Sequence, residues 1–164
     1  MLNDKILSAL NDQIKYELES SYLYLGMAAW LNDAALEGFA HWMRMQAQEE
    51  QGHAMKIYDY IEEHGNKVEL QAIGAPPKEW KDVVEVFQKS LAHEQFITGR
   101  IGQLVELAAA EKDHATSVFL QWFVSEQVEE EDTFRKVLDK LNFVKPSCSA
   151  IMFLDKHMGS RAGD

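Results

Sequence analysis

The feature that most constrains the fold is a helical apolar pattern that recurs four times along the chain. In each stretch, apolar residues recur at alternating steps of three and four, as in a helix packed into a bundle. The four stretches cover about residues 3–31, 36–61, 84–108 and 120–141. None has the strict alternation of a half-buried strand. The sequence therefore predicts an all-α protein.

The connections between these helices predict the topology. The first and third are short, so the helices that they join should be antiparallel neighbours. The second, Gly65 to Lys81, contains GAPPKEW and cannot be helical through its two prolines. An extended segment of about 17 residues reaches about 56 Å, and a helix of about 30 residues is about 45 Å long. We therefore expect a four-helix bundle with one long crossover between helices two and three.

A short fifth helix is expected at about residues 147–159, after the break at Lys145-Pro146. A lone bundle does not need this helix, so we interpret it as an assembly element, with a simple lid as the alternative. The bundle itself should cover about residues 3–143, and residues 1–164 have room for one domain.

Composition narrows the classes of function. The formal net charge of −11 leaves no basic surplus for phosphates, so no nucleic-acid partner is expected. The longest apolar runs are far shorter than the roughly 18 residues of a membrane span, and the N-terminal stretch is too polar for a signal peptide. Cys148 is the single cysteine, which favours a reducing compartment. We therefore expect a cytoplasmic protein with no membrane partner.

Polar residues interrupt each of the four apolar patterns near mid-length. They are Glu17, Glu50 with His53 one turn later, Glu94, and Gln127 with Glu130. Antiparallel helices of similar length bring these positions to similar heights in the bundle. Buried carboxylates are costly without partners, and several together repel one another. A bound cation removes both costs, so the sequence predicts a metal centre inside the bundle.

The donor set favours iron or manganese over a structural zinc site, because it holds four carboxylates and one imidazole. Glu17 and Glu94 on two helices, with Glu50 and His53 on a third, resemble the di-metal carboxylate arrangement of helix bundles. Glu50 is placed to bridge two ions about 4 Å apart.

The fourth helix departs from a symmetric arrangement. It has Gln127-Val128-Glu129-Glu130 where a second Glu-x-x-His would stand. Carboxylates hold ferrous iron more loosely than imidazole does. We therefore expect one firm metal position and one from which iron readily moves on.

These residues make the chain resemble the bacterial non-haem ferritins over essentially its whole length. The resemblance rests on YELESSYLY at 16–24, QEEQGH at 48–53, AHEQF at 92–96 and SEQVEEE at 125–131, together with the fifth helix. It implies a homo-oligomeric shell of 24 subunits. Such a shell takes up Fe(II), oxidises it with O2 or hydrogen peroxide at a di-iron ferroxidase centre, and stores ferric mineral.

The resemblance also implies residue roles. A first iron would be held by Glu17, Glu50 and His53, and a second by Glu50, Glu94 and Glu130. A neighbouring third iron site would use Glu49, Glu126, Glu129 and Glu130. Gln127 would lie beside the pair, and Tyr24 could donate a hydrogen bond or an electron.

No haem is expected. The haem-binding relatives carry the second Glu-x-x-His, and they have a methionine two residues before the histidine of helix two. That position is Gln51 here.

Two other functions stay open. A di-iron oxygenase or peroxidase of the rubrerythrin type needs a substrate pocket or an iron centre held by four cysteines, and the single cysteine excludes the latter. A DNA-protecting mini-ferritin is a smaller shell with metal sites between subunits and no fifth helix.

Other histidines are expected to lie outside the metal centre. A second Glu-x-x-His, Glu111 to His114, lies at the turn before helix four, where a helix terminus is favoured over a role in iron entry. His93 lies off the inner faces and is expected at solvent or an interface.

Overall fold

A computed structural model describes residues 1–144 and 147–163 of the chain, and its helices follow the sequence pattern. They are α1 (Asp4–Asp33), α2 (Glu37–Glu63), α3 (Val83–Ala110), α4 (His114–Val144) and α5 (Cys148–Met158). No strand occurs within these residues. The predicted all-α class and the short fifth helix are confirmed. The break expected at Lys145-Pro146 lies outside the described residues.

The helix ends follow local sequence chemistry. Asn3 begins α1, because its side-chain oxygen accepts a hydrogen bond from the Ile6 N–H at 2.9 Å. After α2, Gly65 takes the left-handed conformation with φ 70°, and the Asn66 N–H donates to the Ile61 carbonyl at 3.2 Å. This is a Schellman ending, which the Gly65-Asn66 pair predicts.

Two apolar clusters give the relative directions of the helices. One packs the late part of α1 and α4 against the early part of α2 and α3, and the other packs the opposite ends. Because α2 and α3 begin in the same cluster, they run parallel, as the long crossover requires.

The crossover from α2 to α3 runs along the whole of α1. Near its start, the Glu69 N–H donates to Asn11 Oδ1 at 2.9 Å. Near its end, the rings of Trp80 and Trp30 meet edge to face at a centroid distance of 6.1 Å. These two contacts lie close to opposite ends of α1, so the segment spans the bundle.

The bundle is less tightly closed on one side than on the others. α1 packs against α2 and α3, and α3 packs against α4. Among the described residues, no Cα atom of α2 lies within 8 Å of a Cα atom of α4. Side chains and a cleft occupy the space between them.

The fifth helix docks on the beginning of α2. Asp155 is buried there, and its Oδ1 accepts a hydrogen bond from the Phe39 N–H at 2.9 Å. A Cβ at Gly38 would lie 1.7 Å from the carbonyl oxygen of Asp155. Since such an approach is impossible for any other residue, Gly38 is what allows α5 to pack so closely.

This contact predicts that Gly38→Ala displaces α5 while the four-helix bundle stays folded. Gly52→Ala is the matched control, because it lies on the same helix and a Cβ there meets nothing within 4 Å. The control should stabilise α2 by up to about 1 kcal/mol, as alanine does in a helix interior. Limited proteolysis of the segment after residue 144 measures the docking. Equal protection of α5 in the two variants contradicts this account.

Candidate metal centre

A layer of acidic side chains lies between the two apolar clusters. Glu17, Glu50, Glu94 and Glu130 come from the four different helices, and each side chain is at most 4% exposed. His53, one turn after Glu50, is 4% exposed in the same layer. The polar interruptions therefore meet inside the bundle, at one level.

Glu17, Glu50 and His53 form the first position. Their ligand atoms all lie within 4.8 Å of one another. His53 Nδ1 is 3.3 Å from Glu50 Oε2 and 3.9 Å from Glu17 Oε2. Glu17 Oε2 is buried without a hydrogen-bond partner, so it has lone pairs that a cation could use.

Glu50, Glu94 and Glu130 form the second position, with ligand atoms again within 4.8 Å of one another. Glu50 belongs to both positions, and its two oxygens allow it to face both. This geometry suits a carboxylate that bridges two cations. The first position has an imidazole and the second has carboxylates alone, as the asymmetric sequence pattern leads us to expect.

A third group, here called the outer position, consists of Glu49, His53, Glu126 and Glu130. Glu49 and Glu126 are partly exposed, and His53 Nε2 is 3.9 Å from Glu126 Oε1. Glu129, which the sequence places with these residues, is exposed and is not a member of this group. Its role as a ligand stays a prediction.

Side-chain amides hold the buried carboxylates. Gln13 Nε2 donates to Glu17 at 2.8 Å, and Gln127 Nε2 donates to Glu94 Oε2 at 3.1 Å. Gln46 Nε2 donates to Glu50 Oε1 at 3.1 Å and to Glu130 Oε2 at 2.7 Å. Gln127 thus lies beside the layer, as the resemblance implies.

Sequence reasoning missed Gln13 and Gln46. Each is a buried glutamine placed four residues before a glutamate of the layer, Glu17 or Glu50. That spacing puts amide and carboxylate on one helix face and could have identified both residues.

Tyr24 closes the layer on the α1 and α3 side. Its hydroxyl donates a hydrogen bond to Glu94 Oε1, and its ring is fully buried. Burial, and next the charge of Glu94, raise the pKa of Tyr24 well above its usual value. Tyr24 therefore stays protonated and acts as a donor.

His93 packs against Tyr24 and is not fully in solvent, one of its two expected positions; the other, an interface, stays a prediction. It is half-buried, its Nε2 is 2.7 Å from Ser20 Oγ, and its ring centroid is 6.0 Å from that of Tyr24. Burial lowers the pKa of His93 to about 4, so its ring is neutral near pH 7.

Burial raises the pKa of each carboxyl in the layer. For Glu130, burial followed by the charges of Glu50 and Glu94 raises the pKa to about 10. The pKa values of Glu17, Glu50 and Glu94 are also raised, with burial as the largest cause. Without a cation, the layer therefore retains protons near pH 7, and a cation must displace them.

A cleft connects this layer to the surface between α2 and α4. Its volume is about 550 Å³, and its lining includes Glu49, His53, Trp122, Glu126 and Arg161. The Trp122 ring lies edge to face with His53 at 5.4 Å between centroids. The outer position is therefore the part of the centre that faces this cleft.

The second Glu-x-x-His contributes to a helix terminus. Asp113 Oδ1 accepts from the Thr116 N–H at 2.9 Å at the start of α4, and Glu111 pairs with Lys5. His114 is the first residue of α4. A role for His114 in iron entry stays a prediction.

Comparisons with known proteins agree with this architecture. A family model described as a ferritin-like domain matches residues 7–144. The chain is 43% identical to a bacterial non-heme ferritin of Staphylococcus haemolyticus, over 100% of this chain and 99% of that protein. It is similar to an engineered closed form of the Archaeoglobus fulgidus ferritin, with a TM-score of 0.99 and 44% identity over all of both chains. For an open pore ferritin of the same archaeon the TM-score is 0.97, at 44% identity over 99% of this chain and 100% of that one.

The raised pKa of Glu130 predicts that cation binding releases protons. At pH 7 this carboxyl is protonated without a cation and should be ionised when it binds one, so affinity should rise with pH up to about 10. Calorimetric titration with Zn²⁺ in buffers of different ionisation enthalpy counts the protons. Glu130→Gln should release about one proton fewer per chain at saturation. Glu129→Gln, an exposed neighbour on the same helix, should match the parent, and equal release in all three chains contradicts the prediction.

Proposed function

The chain belongs to the ferritin family and functions in iron storage, and from this premise we propose that it oxidises Fe(II) at a di-iron centre in each subunit. The observation that carries the proposal is the buried layer in which Glu50 is shared by two cation positions. Oxidation at paired ions is the chemistry that a shared, partly open carboxylate site favours.

In the proposed reaction, Fe(II) is the substrate. Glu17, Glu50 and His53 bind one ion, and Glu50, Glu94 and Glu130 bind the other, after their carboxyls release protons. The bound ions lie side by side because Glu50 contacts both. The two Fe(II) become Fe(III) and together give two electrons to the oxidant; with two protons these reduce O2 to hydrogen peroxide, or hydrogen peroxide to two water molecules, the two candidate reactions.

Gln127 and Tyr24 serve as hydrogen-bond donors to Glu94 in this proposal. They fix one oxygen each, so that Glu94 keeps a defined direction when its partners change charge. Tyr24 is also a candidate electron donor at this site.

Iron leaves the pair through the outer position. Glu130 and His53 belong both to the pair and to the outer position, and Glu49 and Glu126 lie toward the cleft. An ion can therefore move outward without losing all its ligands. Glu129 is kept as an additional ligand candidate that would act after this step.

We propose that the storage form is a cytoplasmic shell of 24 copies of one domain, residues 1–164, without haem and without nucleic-acid or membrane partners. Exposed rings near α5 support assembly, since Phe143 is 89% exposed and Phe153 is 78% exposed. No described helix is both long enough and apolar enough to cross a bilayer. The similar Archaeoglobus ferritins have open-pore and engineered closed forms, so contacts between subunits should decide the pore form here.

The alternatives lack comparable support. A DNA-protecting mini-ferritin has metal sites between subunits, whereas the three groups of candidate ligands here lie within one chain that also has α5. A rubrerythrin-type reaction is not favoured by any specific contact among the described residues.

The paired site predicts that substitutions of Glu50 and Glu129 have different effects on the first burst of oxidation. Glu50→Ala should abolish the rapid oxidation of the first two Fe(II) per subunit, because Glu50 is the side chain shared by both positions. Glu129→Ala is the control on α4, and it should keep that first burst. Stopped-flow absorbance with oxygen consumption measures both. A normal burst in Glu50→Ala means that the paired mechanism is wrong.

A change in the ratio of iron to oxidant in Glu129→Ala supports its additional role. A variant that matches the parent in burst, ratio and later turnover removes that role.

The proposed role of α5 in assembly predicts the effect of deleting residues 147–164. The truncated chain should keep its helical bundle but form fewer or less stable shells, because it loses α5 and the ring of Phe153. Circular dichroism measures the helices, and light scattering measures the size. A full-size shell of normal stability contradicts the role of α5 in assembly.

A further inference from the structure

The segment that follows α5, residues 159–163, lies along α2 toward the outer position. The backbone carbonyl of Arg161 is 2.7 Å from His41 Nε2, which donates to it. Farther along, a Cβ at Gly163 would lie 3.4 Å from Met45 Sδ. Docking of α5 through Asp155 sets where this segment begins. We call residues 159–163 the arm.

The arm places the guanidinium of Arg161 against the metal layer. One nitrogen donates to Gln46 Oε1 at 2.9 Å, and another donates to Glu49 Oε2 at 2.6 Å. The guanidinium carbon also lies 4.5 Å from the centroid of the Trp42 ring. Three contacts in different directions therefore hold the head group in one place.

We propose that Arg161 is a positioning residue that weakens the hold of the outer position on cations, so that iron passes on into the cleft. The inference rests on the proposed function, because it assigns a control to the exit from the paired site. The ligand groups consist of carboxylates and one imidazole. They contain no guanidinium that could weaken the binding of a cation at the outer position.

The first part of the argument concerns Glu49. Its Oε2 accepts a hydrogen bond from Arg161 at 2.6 Å, so a cation at the outer position must compete with the guanidinium for that oxygen. The positive charge of Arg161 also lies one carboxylate away from that cation. Both effects lower affinity at the outer position.

The second part concerns Gln46. Because its Oε1 accepts from Arg161, its Nε2 is turned toward Glu50 and Glu130. The amide thereby donates to two of the three carboxylates of the second position. Arg161 thus orients this donor, although it does not contact the pair itself.

The test compares binding of Zn²⁺, a redox-inert probe, to the assembled, metal-free parent and to Arg161→Met. Methionine keeps an apolar contact with Trp42 and removes the charge and both hydrogen bonds. We expect the weaker outer position to gain about fivefold in affinity, the size of one partly exposed ion pair, and the pair, which Arg161 reaches only through Gln46, to change less. Arg161→Lys, which keeps the charge, should restore most of the parental value.

Two controls isolate the route through Glu49. Arg135→Met removes the same charge from an exposed position on α4, where Arg135 pairs with Asp132, and should have no effect. In a Glu49→Gln background, Arg161→Met should raise affinity by clearly less, because the carboxylate for which Arg161 competes is gone and only the repulsion by its charge is removed.

The outcomes separate this inference from the proposed function. If the parent does not bind Zn²⁺ at the pair, the proposed di-metal site is wrong. If the pair fills normally but Arg161→Met leaves the outer affinity unchanged or lowers it, the role of Arg161 is overturned. A gain of undiminished size in the Glu49→Gln background overturns it as well.

Discussion

The structure depends on the cost of burying a layer of carboxylates between two apolar clusters. Each acid is stripped of water, and its neighbours carry the same charge, so burial and repulsion together raise the pKa values of all four. Protons, amide donors from Gln13, Gln46 and Gln127, and the hydroxyl of Tyr24 make the layer tolerable without a cation. The same arrangement is then ready to exchange protons for cations.

The layer is closed on one side and open on the other. Toward α1 and α3, Tyr24 and Gln127 hold Glu94, and His93 fills the space behind the tyrosine ring. Toward α2 and α4 there is no close backbone packing, and the cleft begins. The layer is therefore reached from the surface on this side, past Glu49 and Glu126.

Much of the fold and of the acidic layer could be predicted from the sequence, because the sequence patterns that determine them are local. The apolar period gives the helices, Pro76-Pro77 and the length of the second connection give the crossover, and an interruption in each helix gives the layer. Family resemblance added the shell and the third site. Glu129 is exposed and its neighbour Glu130 is buried, because adjacent helical residues point about 100° apart, and the role of Glu129 as a ligand stays a prediction.

The contacts that sequence reasoning missed depend on chain segments far apart. Arg161 meets Gln46 and Glu49 only because α5 packs on Gly38, and no local pattern reports that approach. The spacing of Gln46 before Glu50 could have indicated their contact, but no local pattern reports its second partner, Glu130 on α4.

α2 is the element through which assembly and metal chemistry meet. Its beginning receives α5 at Gly38, its middle carries Glu49, Glu50 and His53, and the arm after α5 returns to that middle through Arg161. A rotation of α2 by one residue step, about 100°, would turn Glu50 out of both positions. The docking of α5 opposes such a rotation at one end, and the hydrogen bond from the Leu2 N–H to Asn66 Oδ1 opposes it at the other. The fifth helix therefore has a reason to exist within a single subunit as well as in the shell: it holds in register the helix that supplies the shared ligand.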